Sequence, residues 1–151
     1  MKSYFENVER RAALVAEAMS WMGTPFRAYT AVRGGGVDCV SLCLAMYQAV
    51  GFLPVLTLPQ YRVGAGAHAE DSQLEKVIRE IGRFAGGTPA PPYMVGDLLG
   101  FNLGRVCHHA GVVVNETEFI HARRGYGVAL GSLADPFWKG KMEYQWRPVE
   151  I

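Results

Sequence analysis

Cys39 closes the run Gly34-Gly35-Gly36-Val37-Asp38-Cys39, and an apolar stripe of helical period begins immediately behind it. A glycine stretch ending in Asp is a helix-start signal, with Asp38 as the cap and the thiol in the first turn. Backbone N–H groups there lack intrahelical acceptors and the helix dipole adds partial positive charge, so the position favours thiolate over thiol. A nucleophile needs that state. It also needs an imidazole within hydrogen-bond reach and a third group to hold that ring. Two apolar segments downstream carry imidazoles: Cys107-His108-His109-Ala110-Gly111-Val112-Val113-Val114 and Phe119-Ile120-His121-Ala122.

Strand alternation sends Cys107, His109, Gly111 and Val113 to one face and His108, Ala110, Val112 and Val114 to the other. Only one of the adjacent histidines can then face the nucleophile. Gly111 leaves room above the His109 face, which selects His109 as the base; His121, on the next strand, becomes the orienting group. His108 falls to the other face or to solvent, and His68 to a polar loop. Asp38 is expected to hold the preceding turn as well as cap the helix. The Cys39 N–H is a candidate oxyanion donor. Arg123 and Arg124 can grip a substrate carboxylate through forked hydrogen bonds, or be an ordinary solvated pair. Cys43, one turn beyond Cys39, reads as core and Cys107 as structural. Zinc would accept these thiols and imidazoles, but the one close pair, Cys39-x3-Cys43, stacks along a single helix, so no metal or other cofactor is expected.

Asp38-Cys39, then His109-Ala110-Gly111-Val112-Val113, then a polar residue on the following strand, resemble in type and order the NlpC/P60 family of cysteine peptidases. Gly23-Thr24-Pro25-Phe26-Arg27 is similar to that family's opening segment. Two departures stand out: Val40-Ser41 replaces Ser-Gly after the nucleophile, and Phe26 stands where the family has tyrosine, so that hydroxyl is absent unless Tyr29 substitutes for it. The resemblance runs from about Ala12 to the Val128 region. It implies an α+β, papain-like core with N-terminal helices packed on an antiparallel sheet. It also implies a thiol peptidase with Cys39, His109 and His121 in the catalytic roles, acting on peptidoglycan stem peptides at the bond between D-glutamate and the diamino acid. The short chain, the absence of a leader and Gly96-Asp97-Leu98-Leu99-Gly100-Phe101 look most like the phage-tail and gene-transfer-particle branch. That implies tail proteins as partners and delivery to the wall by a particle. A tail-tip assembly protein that keeps the fold without the chemistry is the rival, and acyl transfer to a lipid or amine is a further one.

The elements that must position these groups follow from periodicity. With 151 residues, half of them apolar, one domain can bury about 68–70% of its unfolded surface. A formal charge of +1 offers no long-range field for nucleic acid. No stretch is long enough to span a bilayer and the N-terminus has no secretory h-region, so synthesis without a signal peptide is expected. Three cysteines cannot all pair within the chain, so a free thiol is expected. Ser3-x-x-Glu6 predicts a helix start, with Val8, Ala12, Val15, Met19 and Met22 as the buried stripe up to Gly23. Val40, Cys43, Leu44, Tyr47 and Val50 predict a second helix from Cys39 to Gly51. Pro54 to His68 reads as loop. Ser72-x-x-Glu75 opens a third helix with Leu74, Val77, Ile78, Ile81 and Phe84 inward. After a Gly86–Pro92 linker, strands are expected at Asp97–Phe101, Val106–Val114, Glu118–Ala122, Val128–Leu130 and Tyr144–Arg147. Because the thiol and both histidines lie on opposite sides of that linker, it is read as a connection within one domain.

Overall fold

Asp38 has an extended backbone and its carboxylate accepts the Ser41 N–H at 2.8 Å, so the helix α2 (Cys39–Ala49) starts where the cap signal places it. The computed structural model describes residues 2–54, 73–104 and 108–150. Within that range α2 is buried on most sides, through Cys39, Val40, Leu42, Cys43, Leu44, Met46 and Tyr47. A fully buried Leu or Met is worth about 1.5–3 kcal/mol over leaving it exposed, so the helix is anchored by its own composition. Its C-terminal half ends in an aromatic cluster: Tyr47 lies within 6.0 Å of Phe5, Phe52 and Phe84, and its hydroxyl donates to the Gly96 carbonyl at 2.8 Å.

The first helix departs from its sequence reading. Ser3 caps only the short 3-10 turn Tyr4–Glu6, and Asn7, accepting the Arg10 N–H at 3.0 Å, starts α1 (Val8–Ser20). The expected stripe faces outward, with Val8 68% and Met22 43% exposed, while Leu14, Ala18 and Trp21 form the buried line. Two apolar stripes share one helical period here, and periodicity cannot say which meets the core. The third helix, α3, spans Gln73–Ile81 and buries Leu74, Val77 and Ile78; the expected cap Ser72 lies outside the described residues, as do the greater part of the Pro54–His68 loop and Cys107.

Strands are β1 (Ala31–Val32), β2 (Gly36–Val37), β3 (Phe84–Gly87), β4 (Leu98–Phe101), β5 (His109–Val113), β6 (Glu118–Arg123), β7 (Gly127–Ser132) and β8 (Met142–Pro148). Among the described residues, β1 and β2 form a small hairpin and the rest one antiparallel sheet in the order β3-β8-β4-β5-β6-β7. Phe84 therefore belongs to a strand and not to the third helix. Gly86 and Gly87 are also strand, paired with Trp146 and Gln145, because β8 returns from the end of the chain to supply an edge that no local signal announces. The sheet separates two cores. Ala110, Val112, Val114, Ile120 and Ala122 face α2, while Leu99, Phe101, Val113 and Phe119 face a short helix, α4 (Pro136–Lys141). Asp135 caps α4 by accepting the Phe137 N–H, and Pro136 occupies its first turn. Residues 23–27 are stitched to both layers: Val37 and Arg27 exchange backbone bonds with Pro25 and Val37, while Val128 bonds Thr24 and Gly23.

Candidate active site

Asp38 is wholly buried, and its two oxygens divide the work of shaping the thiol's surroundings. Oδ1 takes the Ser41 N–H; Oδ2 takes the Tyr29 N–H at 2.6 Å. Tyr29 sits at φ 56, a left-handed backbone that costs a non-glycine residue on the order of 1 kcal/mol and needs such an anchor. Its side chain is 60% exposed. Cys39 follows the cap, buried at 7% exposure, with Sγ 3.7 Å from the His108 carbonyl oxygen, to which the thiol donates. The thiol thus meets β5 at its backbone, beside His109.

His109 and His121 are on the sheet face away from α2 and are hydrogen bonded to each other, Nε2 to Nδ1, at 2.8 Å. Both are buried, at 5% and 4% exposure. Trp138 of α4 covers them: its indole is stacked on the His109 ring at 5.6 Å and 22°, and edge-on to His121 at 4.8 Å and 88°. Phe101 and Phe119 close the box. Gly111 does not leave open space above His109. A Cβ there would stand 2.8 Å from the Phe119 ring, and one on Gly131 would stand 2.4 Å from it. Phe119 lies flat across β5 and β7 because both neighbours lack side chains, and that ring is the floor on which Trp138 and His121 rest.

The hydrogen bond constrains the tautomers. If His109 is to accept the thiol proton on Nδ1, its hydrogen sits on Nε2 and is donated to His121 Nδ1, which leaves the His121 hydrogen on Nε2. His121 must be neutral to accept it. Burial first, then Arg123, lowers His121 to about 4, and burial, then His121, His108 and Arg123, holds His109 well below its usual range. The thiol differs from its sequence expectation. The N–H groups of Ala110, Val40 and Cys39 itself favour the thiolate, but burial outweighs them and, with Asp38, pushes Cys39 up to about 12. The resting pair is therefore neutral thiol and neutral imidazole. Among the described residues no hydrogen bond joins Sγ to the His109 ring, so proton transfer requires the thiol to leave the His108 carbonyl; catalytic contacts commonly tighten only when substrate is bound.

Arg123 ends β6 on the His121 face, its guanidinium 5.3 Å from the Trp138 ring centre. Arg124, one residue on, turns the other way and lies over Phe26 at 5.6 Å. The two arginines are thus separated and do not form one fork. Phe26 is half-buried and bridges to Val37. Cys43 is 2% exposed in the α2 core, with its thiol pushed up by burial. The residue that the sequence reading missed is Trp138. Asp135-Pro136, a cap followed by proline at the first helical position, was the local signal available for α4.

The fold is α+β, with a capped, helix-borne thiol bonded to the His108 carbonyl and a buried histidine pair on the two adjacent strands that follow. The NlpC/P60 family pattern matches residues 21–147, and the chain belongs to that family. It is 22% identical over 135 residues to the murein DD-endopeptidase MepS/murein LD-carboxypeptidase of Escherichia coli K12, covering 88% of this chain and 60% of that protein. It is 28% identical over 128 residues to a probable endopeptidase NlpC homolog of Haemophilus influenzae, covering 83% and 56%. The chain therefore spans 60% or less of the length of these relatives. In fold it is similar to a lipoprotein-like NLP/P60 protein of Staphylococcus aureus, with a TM-score of 0.64 at 19% identity over 96% of this chain and 43% of that one. The NlpC/P60 domain of the peptidoglycan hydrolase SagA gives 0.58 at 20% identity, covering 93% and 98%.

Proposed function

We propose that this chain is a cysteine peptidase of peptidoglycan stem peptides, cutting the amide between D-glutamate and the diamino acid through a thioester. The observation that carries the reading is the buried Nε2 to Nδ1 bond between His109 and His121, with the thiol of a capped helix start bonded to the carbonyl of His108, the residue before His109. Cys39 gives its proton to His109 Nδ1 and attacks the carbonyl. His121 accepts the His109 Nε2–H and so holds the ring as it becomes imidazolium. The proton then goes to the leaving amine, and water hydrolyses the thioester. The Cys39 N–H, free of an intrahelical partner, donates to the oxyanion. Arg123 at the end of β6, Arg124 next to it at the start of the β6–β7 turn, and Tyr29, on the Asp38 turn, are the substrate-binding groups. The relatives' activity on murein supports the substrate class. Local wall opening by a phage-like particle, with tail proteins as partners and delivery to the wall by that particle, is part of the proposal.

Digestion of purified peptidoglycan, with mass analysis of the fragments, tests it. Free D-glutamyl ends in the wild type and none with Cys39→Ala are expected; no release by either overturns the hydrolase reading. A second reading, a tail-tip assembly protein on the same fold, is favoured by the buried, protonated Cys39 and by Phe26 in place of tyrosine. It predicts that Cys39 is no more reactive toward alkylation at neutral pH than Cys43.

A further inference from the structure

Arg123 is half-buried against aromatic faces, its guanidinium carbon 4.7 Å from the Tyr126 ring centre, 5.3 Å from Trp138 and 5.7 Å from Phe137. Such stacking pre-orients the planar fork and leaves its edge for a planar anion. Among the described residues no carboxylate pairs with it. The ion pairs among the described residues lie elsewhere, at Arg10–Glu150, Arg33–Glu17, Arg79–Glu75 and Arg147–Asp97. Asp135, near in sequence to the stacked rings, is engaged with the Phe137 N–H, and Glu118, at the far end of β6, with Asn115.

The groups around the histidine pair do not supply the missing charge either. Just before β5 the neighbour is His108. On α2 it is the Cys39 thiol, with Asp38 held by the Ser41 and Tyr29 N–H groups. From the β6–β7 turn comes Arg124, and from α4 the exposed Lys139 and Lys141, the latter 5.9 Å from the Phe137 ring centre. Apart from that engaged carboxylate and the thiol, which is protonated at rest, these side chains carry no negative charge, and Arg124, Lys139 and Lys141 have the sign of Arg123. The indole that Arg123 stacks on is the same one that covers both histidines. The Arg123 charge is among the causes that disfavour a proton on His109 and His121, whereas the charged neighbours acting on the thiol include Asp38 and not Arg123.

We propose that Arg123 is a carboxylate sensor. A substrate carboxylate docked on its guanidinium cancels the charge that opposes the His109 imidazolium, so one anion both binds and switches on the base. The inference rests on the reading of His109 as the base for Cys39. It makes acidic substrates better in turnover and not only in affinity, because the carboxylate acts on the transfer of the Cys39 proton to His109.

A paired digest tests it, using a γ-D-glutamyl peptide with a free α-carboxylate, its α-carboxamide analogue, and wild type, Arg123→Lys and Arg123→Gln proteins of matched thermal stability. Wild type should cleave the carboxamide about tenfold more slowly, with the loss in kcat. Arg123→Lys should keep part of the preference. Arg123→Gln should cleave both peptides alike, and should cleave the carboxamide about three- to tenfold faster than wild type does, since the unneutralised charge is gone. A plain binding contact cannot give that crossover, so an Arg123→Gln protein no faster than wild type on the carboxamide overturns the proposal. A second arm needs no substrate: iodoacetamide alkylation of Cys39 at pH 7, read by mass analysis, should be faster in Arg123→Gln, and equal rates overturn the coupling. If neither peptide is cut by any variant, the peptidase reading fails while the alkylation rates still decide whether Arg123 governs the thiol–imidazole pair.

Discussion

Replacing His121 isolates what the histidine pair contributes. His121→Ala removes the acceptor 2.8 Å from His109 Nε2 in a site that is 4–5% exposed, so little water is at hand to replace it. An unsatisfied buried N–H costs about 1–3 kcal/mol. During the reaction that N–H belongs to an imidazolium, and a charge-assisted hydrogen bond is worth about 1.5–3 kcal/mol. If that bond is lost when the barrier is crossed, kcat falls roughly ten- to 150-fold at about 1.4 kcal/mol per decade. His121→Gln retains a carbonyl acceptor and should lose less than about tenfold. The alanine also opens a cavity between Trp138, at 4.8 Å, and Phe119, at 4.9 Å, so part of its effect is on stability. Turnover of a stem peptide, measured well below the melting temperature of each variant, separates the two effects. Wild-type kcat in folded His121→Ala protein would refute the reasoning, because the ring of His109 would then be held by packing alone.

Cys39→Ala should abolish hydrolysis while changing stability by no more than about 1 kcal/mol, checked by turnover and chemical denaturation; retained turnover would remove the nucleophile assignment. His109→Ala should cost far more activity than His108→Ala, since the thiol bonds to the carbonyl of His108, which the substitution keeps; equal losses in folded protein would remove the case for a single base. Asp38→Ala removes the carboxylate that accepts the Ser41 and Tyr29 N–H groups and should cost about 2–4 kcal/mol in denaturant unfolding, twice the effect of an ordinary cap; a loss below about 1 kcal/mol would show that the turn stands without it. Both buried histidines bind protons less readily folded than unfolded, so stability should be full above about pH 6.5 and decline as pH falls below it, the His121 share being lost as pH falls through about 4. Cys39 has the opposite sign: its raised value of about 12 gives stability that is present below pH 9 and lost as pH rises through 12, a limb that Cys39→Ala should flatten.

What the sequence by itself determined was local. Asp38 caps α2 through the residue three positions on, and the two-residue period separates Ala110 and Val112 from His109 and Val113, so the helix start and the two faces of β5 were legible without a fold. That His109 and His121 share a sheet face was also within reach, because alternation fixes the face on each strand, whereas the register that sets Gly111 opposite His121 was not. Tertiary structure decided the rest. It chose Leu14, Ala18 and Trp21 over the equally periodic Val8, Ala12 and Met19, brought β8 from the end of the chain to pair with β3, and filled the space over Gly111 with Phe119. It also reversed the expected charge state of Cys39. A helix start and its N–H groups are properties of neighbouring residues, whereas desolvation depends on everything that packs around the sulfur, and here the packing outweighs the dipole.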